Sequence, residues 1–351
     1  MKPMDGSAQT NQRAFSALEF KLLNDYQRDF PLVAAPFAEL AQSLDVDEAT
    51  VIQRLQSMLQ TGLISRIGAV FRPNVVGVSA LAALAVPMDR LVAVAALVSA
   101  FHEVNHNYQR EHRFNLWFVV TASSAEELQR VFESIEMVCG CSPVLCLPLL
   151  EQFHIDLGFG LGENASPYFQ ADTKVQADVA PFALSAAQRS LMAVLQRGLP
   201  LVSRPYATLG WPEDEAIALL RQWVDAGAIK RFGVVVRHHE LGYTSNAMVV
   251  WNVPDETVSQ LGKAIAATGR VSLCYRRPRQ LPHWPFNLFC MIHGKDRSDV
   301  EQRIAALVKI CALDAYPHEV LFSSRRFKQC GARYVSDVAC ETVPELAHGP
   351  D

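Results

Sequence analysis

Six residues in one stretch of the chain, Ile64, Arg66, Gly68, Val70, Arg72 and Gly77, match Ile229, Arg231, Gly233, Val235, Arg237 and Gly242 at one constant offset. A match that keeps its register in this way marks an internal duplication, and its period is far longer than that of a solenoid repeat. The copies are therefore domain-sized, and whatever fold one half adopts the other half adopts too.

Local signals fill in the unit. Ser16-Ala17-Leu18-Glu19 is a capping box at the head of a helix through Leu22, Leu23 and Tyr26, and Ser185-Ala186-Ala187-Gln188 is its counterpart. A short helix from Pro36 and a third over Asp47 to Gln60, apolar at Val51, Leu55, Met58 and Leu59, lead to a strand at Leu63 to Val70. This is the pattern of a winged helix-turn-helix, with the strand as its wing. Each copy continues in the order βαββαβ, a ferredoxin-like layer, and its closing strands are expected at Val144 to Ile155 and Ala315 to Phe322. The fold class is α+β: two tandem units, each a winged helix-turn-helix followed by a ferredoxin-like domain. The expected boundaries are 13–75 and 76–160 for the first unit, 161–182 for a Gly-, Ala-, Asp- and Pro-rich linker, 183–241 and 242–335 for the second unit, and 336–351 for a tail.

A chain of 351 residues, half of them hydrophobic, can bury substantial cores. Its formal charge of -4 argues against a general polyanion binder, because duplex affinity rests on many Lys and Arg contacts to phosphates. The third helix of each unit starts with carboxylates, Asp45, Asp47 and Glu48 or Glu213, Asp214 and Glu215, which disfavours nucleic acid as a partner. The eight cysteines show no CxxC pair and no zinc spacing, so they read as reduced thiols, and no stretch is apolar enough for a membrane span. A cytoplasmic location is expected.

Chemistry concentrates in His106-Asn107-Tyr108-Gln109-Arg110-Glu111-His112-Arg113, just before the apolar run Leu116-Trp117-Phe118. On a strand, His106, Tyr108 and Arg110 share one face, giving a base, a phenol and a cation together. The second copy carries Leu273-Cys274-Tyr275-Arg276-Arg277 and then a proline-rich insert with Arg279, His283 and Trp284, which makes the second connection five residues longer. Guanidinium groups beside an indole suit a flat molecule bearing several carboxylates. The position matching His106 falls at Leu273 or Val271-Ser272 and has no histidine, so one competent site and one degenerate site are expected.

The winged helix followed by βαββαβ resembles the Lrp/AsnC transcription regulators. The runs His106-Asn107-Tyr108 to Asn115-Leu116-Trp117-Phe118 and Cys274-Tyr275-Arg276 to Trp284-Pro285-Phe286-Asn287-Leu288-Phe289 further resemble those of the siroheme decarboxylases, in the form that fuses two units. That resemblance implies siroheme as substrate and loss of carbon dioxide from the acetates on rings C and D, in making the d-type haem. It implies no metal or organic cofactor, iron being part of the substrate, and a pseudo-dimer within one chain. On this reading His106, then His112, supplies the proton, since histidine titrates near working pH. Arg110 clamps a carboxylate and Tyr108 supports it. Tyr275, Arg276, Arg277, His283 and Trp284 surround the substrate, and the wing residues Arg66 and Arg231 are candidates to reach propionates. The competing expectations are a DNA-binding regulator and a tetrapyrrole-binding regulator without turnover.

Overall fold

In the computed structural model the described residues are 15–72, 74–155, 184–237, 243–332 and 334. The expected linker and tail, and Gly242 of the repeat, lie outside them. The first unit runs α1 (Ala17–Asn24), α2 (Pro36–Leu44), α3 (Glu48–Gln60), β1 (Ile64–Phe71), β2 (Val78–Leu84), α4 (Leu91–Ala100), β3 (Val104–Arg110), β4 (Leu116–Ala122), α5 (Ala125–Cys139), β5 (Leu145–Pro148) and β6 (Glu151–Ile155). The second runs α6 (Ala186–Leu195), a 3-10 turn at Tyr206–Thr208, α7 (Glu213–Asp225), β7 (Ile229–Val236), β8 (Ser245–Trp251), α8 (Val258–Ala267), β9 (Leu273–Arg276), β10 (Leu288–Gly294), α9 (Arg297–Cys311) and β11 (His318–Gln329).

Both expected capping boxes form. Ser16 and Glu19 satisfy each other's backbone N–H at the head of α1, and Ser185 and Gln188 do the same for α6.

The two wing strands differ from expectation. Instead of closing a wing within its own unit, β1 pairs antiparallel with β7 of the other unit, Gly68 facing Gly233 while Ile67 faces Val234 and Ala69 faces Phe232. Matching residues of the repeat meet at the centre of this ribbon, so the internal twofold passes between the two glycines. Gly233 is required by close approach, because a Cβ there would lie 2.4 Å from the Tyr26 carbonyl. One core serves both helical parts: Leu22, Phe37, Leu55 and Met58 join Leu191, Met192, Leu220 and Trp223.

The remaining strands form one nine-stranded sheet in the order β5-β2-β4-β3-β11-β8-β10-β9-β6. Alternation divides each strand between two cores. In the first unit Ala80, Ala82, Leu116 and Phe118 pack under α4 and α5, and in the second Ala247, Val249, Leu288 and Cys290 pack under α8 and α9. The intervening residues of both units, including Leu81, Trp117, Met248 and Phe289, share a third core. The two half-sheets thus face each other across it.

Strand exchange locks the halves together. β11 runs past the expected end at Phe322: His318 to Phe322 pair with β8, and Ser323 to Gln329 pair with β3 of the first unit. Conversely β5 pairs with β2, and the short β6 crosses to β9 of the second unit. Among the described residues no helix is long and apolar enough to cross a membrane, and the described cysteines are all free thiols.

Candidate active site

The two faces of β3 have different surroundings. Asn107 pairs across to Phe118 and turns to α4, donating to the Ala95 carbonyl and the Ser99 hydroxyl at 3.0 Å each. His106 and Tyr108 pair with Val119 and Trp117, which project into the core between the half-sheets. The expected ladder therefore forms, with the His106 and Tyr108 rings stacked 6.1 Å apart and the Arg110 guanidinium 5.9 Å from the Tyr108 ring. His106 keeps part of its surface open, yet burial pulls its basicity down to about 4. Burial raises the Tyr108 phenol, and the Arg110 and Arg326 cations oppose that rise.

Arg110 is only 7% exposed. Its Nη1 donates to the Leu321 carbonyl of the second unit at 2.9 Å, Nη2 meets only the Met291 sulfur at 3.6 Å, and Nε has no partner. Burial pushes its pKa down to about 10, against the Tyr108 and Tyr275 phenols. The Nε–Nη2 edge, the edge that grips a carboxylate with two hydrogen bonds, therefore lacks an oxygen partner among the described residues.

The second unit repeats half of this. Backbone bonds from Arg110 to Asn115 and from Arg277 to Asn287 align the hairpins, so Tyr275 matches Tyr108, Arg277 matches Arg110, and Leu273 stands where His106 is. Arg277 lies over the Tyr275 ring at 4.5 Å and donates to the Leu147 carbonyl of the first unit. Where Arg326 and Gln329 of β11 pair with Tyr108 and His106, Gln152 and Ile155 of β6 pair with Tyr275 and Leu273. Leu273 and Ile155 pack onto the shared core. One face is polar and the matching one is mostly apolar.

Several sequence expectations need correction. Arg276 is not free for a substrate, because it pairs with Asp255 at 2.8 Å, and Arg279 grips the same carboxylate at 2.9 Å. Trp284 is fully buried, its ring centroid 5.1 Å from Trp117 and 5.0 Å from Phe286. The insert is a plug in the shared core, not an open basic loop. Tyr275 is buried in the same core, stacked on Phe289.

His112 sits in the β3–β4 turn and is held at both nitrogens: Nδ1 accepts from the Phe114 N–H at 3.0 Å, and Nε2 lies 2.6 Å from Glu319. Burial lowers its basicity while Glu319 works against that shift. This places it in a structural turn, apart from the ladder. His283 is exposed, and its carbonyl accepts from Arg113; it lines a cavity of about 230 Å³ with Leu84, Phe114 and Pro143. Arg66 donates to its own strand at the Ala69 carbonyl and sits against Gly331, and Arg231 donates to the Gln27 carbonyl. Neither wing arginine contacts the ladder.

Two motif asparagines turn out to be strand clamps. Asn115 accepts from the Val86 N–H at 2.9 Å and donates to the Val86 carbonyl at 2.8 Å, and Asn287 does the same to Val253 at 3.0 and 2.9 Å. The extension of β11 that carries Arg326 was missed, because the last strand was expected to stop at Phe322 and the polar run Ser323 to Gln329, broken by two register shifts, carries no alternation to announce it. Among the described residues no group of three or more His, Cys, Asp or Glu is placed to hold a metal ion.

Comparison with known proteins agrees with this duplicated plan. The AsnC-like ligand binding domain matches residues 76–154 and 240–328, and the siroheme decarboxylase NirDL-like HTH domain matches 19–64 and 188–229. The siroheme decarboxylase NirDL subunit of Paracoccus pantotrophus is 43% identical over 328 residues, covering 92% of this chain and 98% of that protein. The chain belongs to the siroheme decarboxylases. The siroheme decarboxylase of Hydrogenobacter thermophilus is 31% identical and covers 90% of this chain and 95% of its own. The crystal structure of the siroheme decarboxylase NirDL in complex with an iron-uroporphyrin III analogue superposes with a TM-score of 0.65 at 28% identity, covering 90% of this chain and 94% of that one.

Proposed function

We infer that the chain is an enzyme that decarboxylates siroheme, and that it does so at the face bearing His106, Tyr108 and Arg110. The activity rests on the full-length relatives. The observation that supports the site is the buried guanidinium of Arg110, whose Nε–Nη2 edge meets no oxygen among the described residues. A buried cation without an anion is costly, and a substrate carboxylate offsets that cost.

In the proposed step Arg110 holds an acetate of ring C or D. The bond between the carboxylate carbon and the methylene breaks, and its electron pair passes into the protonated pyrrole system. A proton then completes the methyl group as the ring gives up the one that activated it, so each carbon dioxide released consumes one proton in net. His106 delivers that proton. Burial favours its neutral form, and the negative charges of an arriving polycarboxylate raise its proton affinity. Tyr108, stacked on the imidazole, keeps the ring in place.

Anaerobic incubation of the full chain with siroheme, followed by product mass, tests this reading. Loss of two carbon dioxide units is expected, and an unchanged mass in protein that binds siroheme would leave the non-catalytic tetrapyrrole-binding reading.

A further inference from the structure

We propose that Arg326, carried into the first unit by the exchanged end of β11, binds a peripheral carboxylate of the tetrapyrrole and sets selectivity for substrates that bear one there. The inference rests on the proposed location of the site.

Three observations support it. Arg326 pairs directly with Tyr108 and Gln329 pairs with His106, so both side chains belong to the face that carries the ladder. Arg326 is exposed, while Arg110 is buried; the two cations lie on either side of Tyr108 along this face and both act on its phenol. Finally, Arg326 spends one hydrogen bond on Gln329 Oε1 at 3.0 Å and pairs with no carboxylate among the described residues. Three other exposed arginines have such partners, Arg130 with Glu127, Arg204 with Glu213 and Arg297 with Glu111, while Arg113 and Arg221 donate to backbone carbonyls away from this face.

The second unit supplies an internal control. Gln152 stands opposite Tyr275 where Arg326 stands opposite Tyr108, so only one of the two matching faces gains this charge. Arg325 supplies another, since it pairs with Gln109 on the opposite face of the same strand and lies over the Phe327 ring at 4.9 Å.

The test compares the wild-type chain with Arg326→Gln, Arg326→Lys and Arg325→Gln, using siroheme for anaerobic turnover and for an absorbance titration. Loss of one charge-assisted carboxylate contact predicts a rise of about tenfold in KM and Kd for Arg326→Gln, with kcat within about twofold. Arg326→Lys should recover most of the affinity, and Arg325→Gln should match wild type. Unchanged KM and Kd in Arg326→Gln, or an equal rise in Arg325→Gln, would overturn the proposal. If the wild-type chain binds siroheme without releasing carbon dioxide, the proposed activity fails while the titration still decides the role of Arg326.

Discussion

The Arg110 guanidinium crosses from the first unit to the Leu321 carbonyl of the second, 2.9 Å away, while its remaining edge meets no oxygen among the described residues. Its matching residue, Arg277, makes the reciprocal crossing to Leu147. One hydrogen bond is a small return for burying a cation, because the desolvation of an unpaired charge exceeds it. Arg110→Met should therefore abolish turnover while leaving the thermal midpoint unchanged or slightly raised. A large fall in the midpoint, measured by calorimetry, would show that Arg110 is a latch first.

His106→Ala should lower kcat by about 10²- to 10⁴-fold, the usual contribution of a positioned proton donor. Siroheme binding should survive, because the carboxylate contacts come from arginines. Stopped-flow turnover alongside an absorbance titration separates the two, and equal loss of both would assign His106 to binding.

The depressed basicity of His106 has a sign that can be checked. Its ordinary value is near 6.5 and its folded value is about 4. As pH falls below 6.5 the unfolded chain takes up a proton that the native cleft refuses, so this contribution to stability is whole above 6.5 and declines towards pH 4. Urea midpoints at pH 7 and pH 5 should differ less in His106→Asn than in wild type. Siroheme binding should also draw in a proton at pH 5 to 6, seen as buffer-dependent heat in titration calorimetry.

Asn115→Ala removes two hydrogen bonds and strands a buried N–H and carbonyl at Val86. Each orphaned group costs about 1–3 kcal/mol, so a loss of roughly 2–6 kcal/mol is expected in urea unfolding, and roughly 1–3 kcal/mol from Asn287→Ala, where the Val253 carbonyl keeps its bond from Arg279 and only the N–H is stranded. A cost below about 1 kcal/mol in both would mean that water replaces the clamps.

Much of this architecture was legible in the sequence, and the failures share a cause. The offset linking Ile64 to Ile229 announced the duplication, and alternation placed His106, Tyr108 and Arg110 on one face. These are local signals that survive without tertiary information. The partner of an edge strand is not local: nothing in the pattern of Ile64 to Phe71 says that β7, and not its own wing, completes the ribbon. Arg276 read as available until Asp255 was found beside it, and Trp284 read as a substrate platform until the shared core closed over it. Arg326 was lost to a strand end drawn at Phe322.

Because β11 begins in one half-sheet and ends in the other, neither half owns its own cleft. Severed halves would each lose a strand edge and, with it, part of the partner's chemistry. Joining the halves in one polypeptide fixes their ratio and pairs two non-identical faces within one molecule. That removes the requirement that both faces stay the same. The first face presents a histidine and an arginine, while the second packs Leu273 and Ile155 into the shared core, so the two halves of one molecule are free to divide the labour.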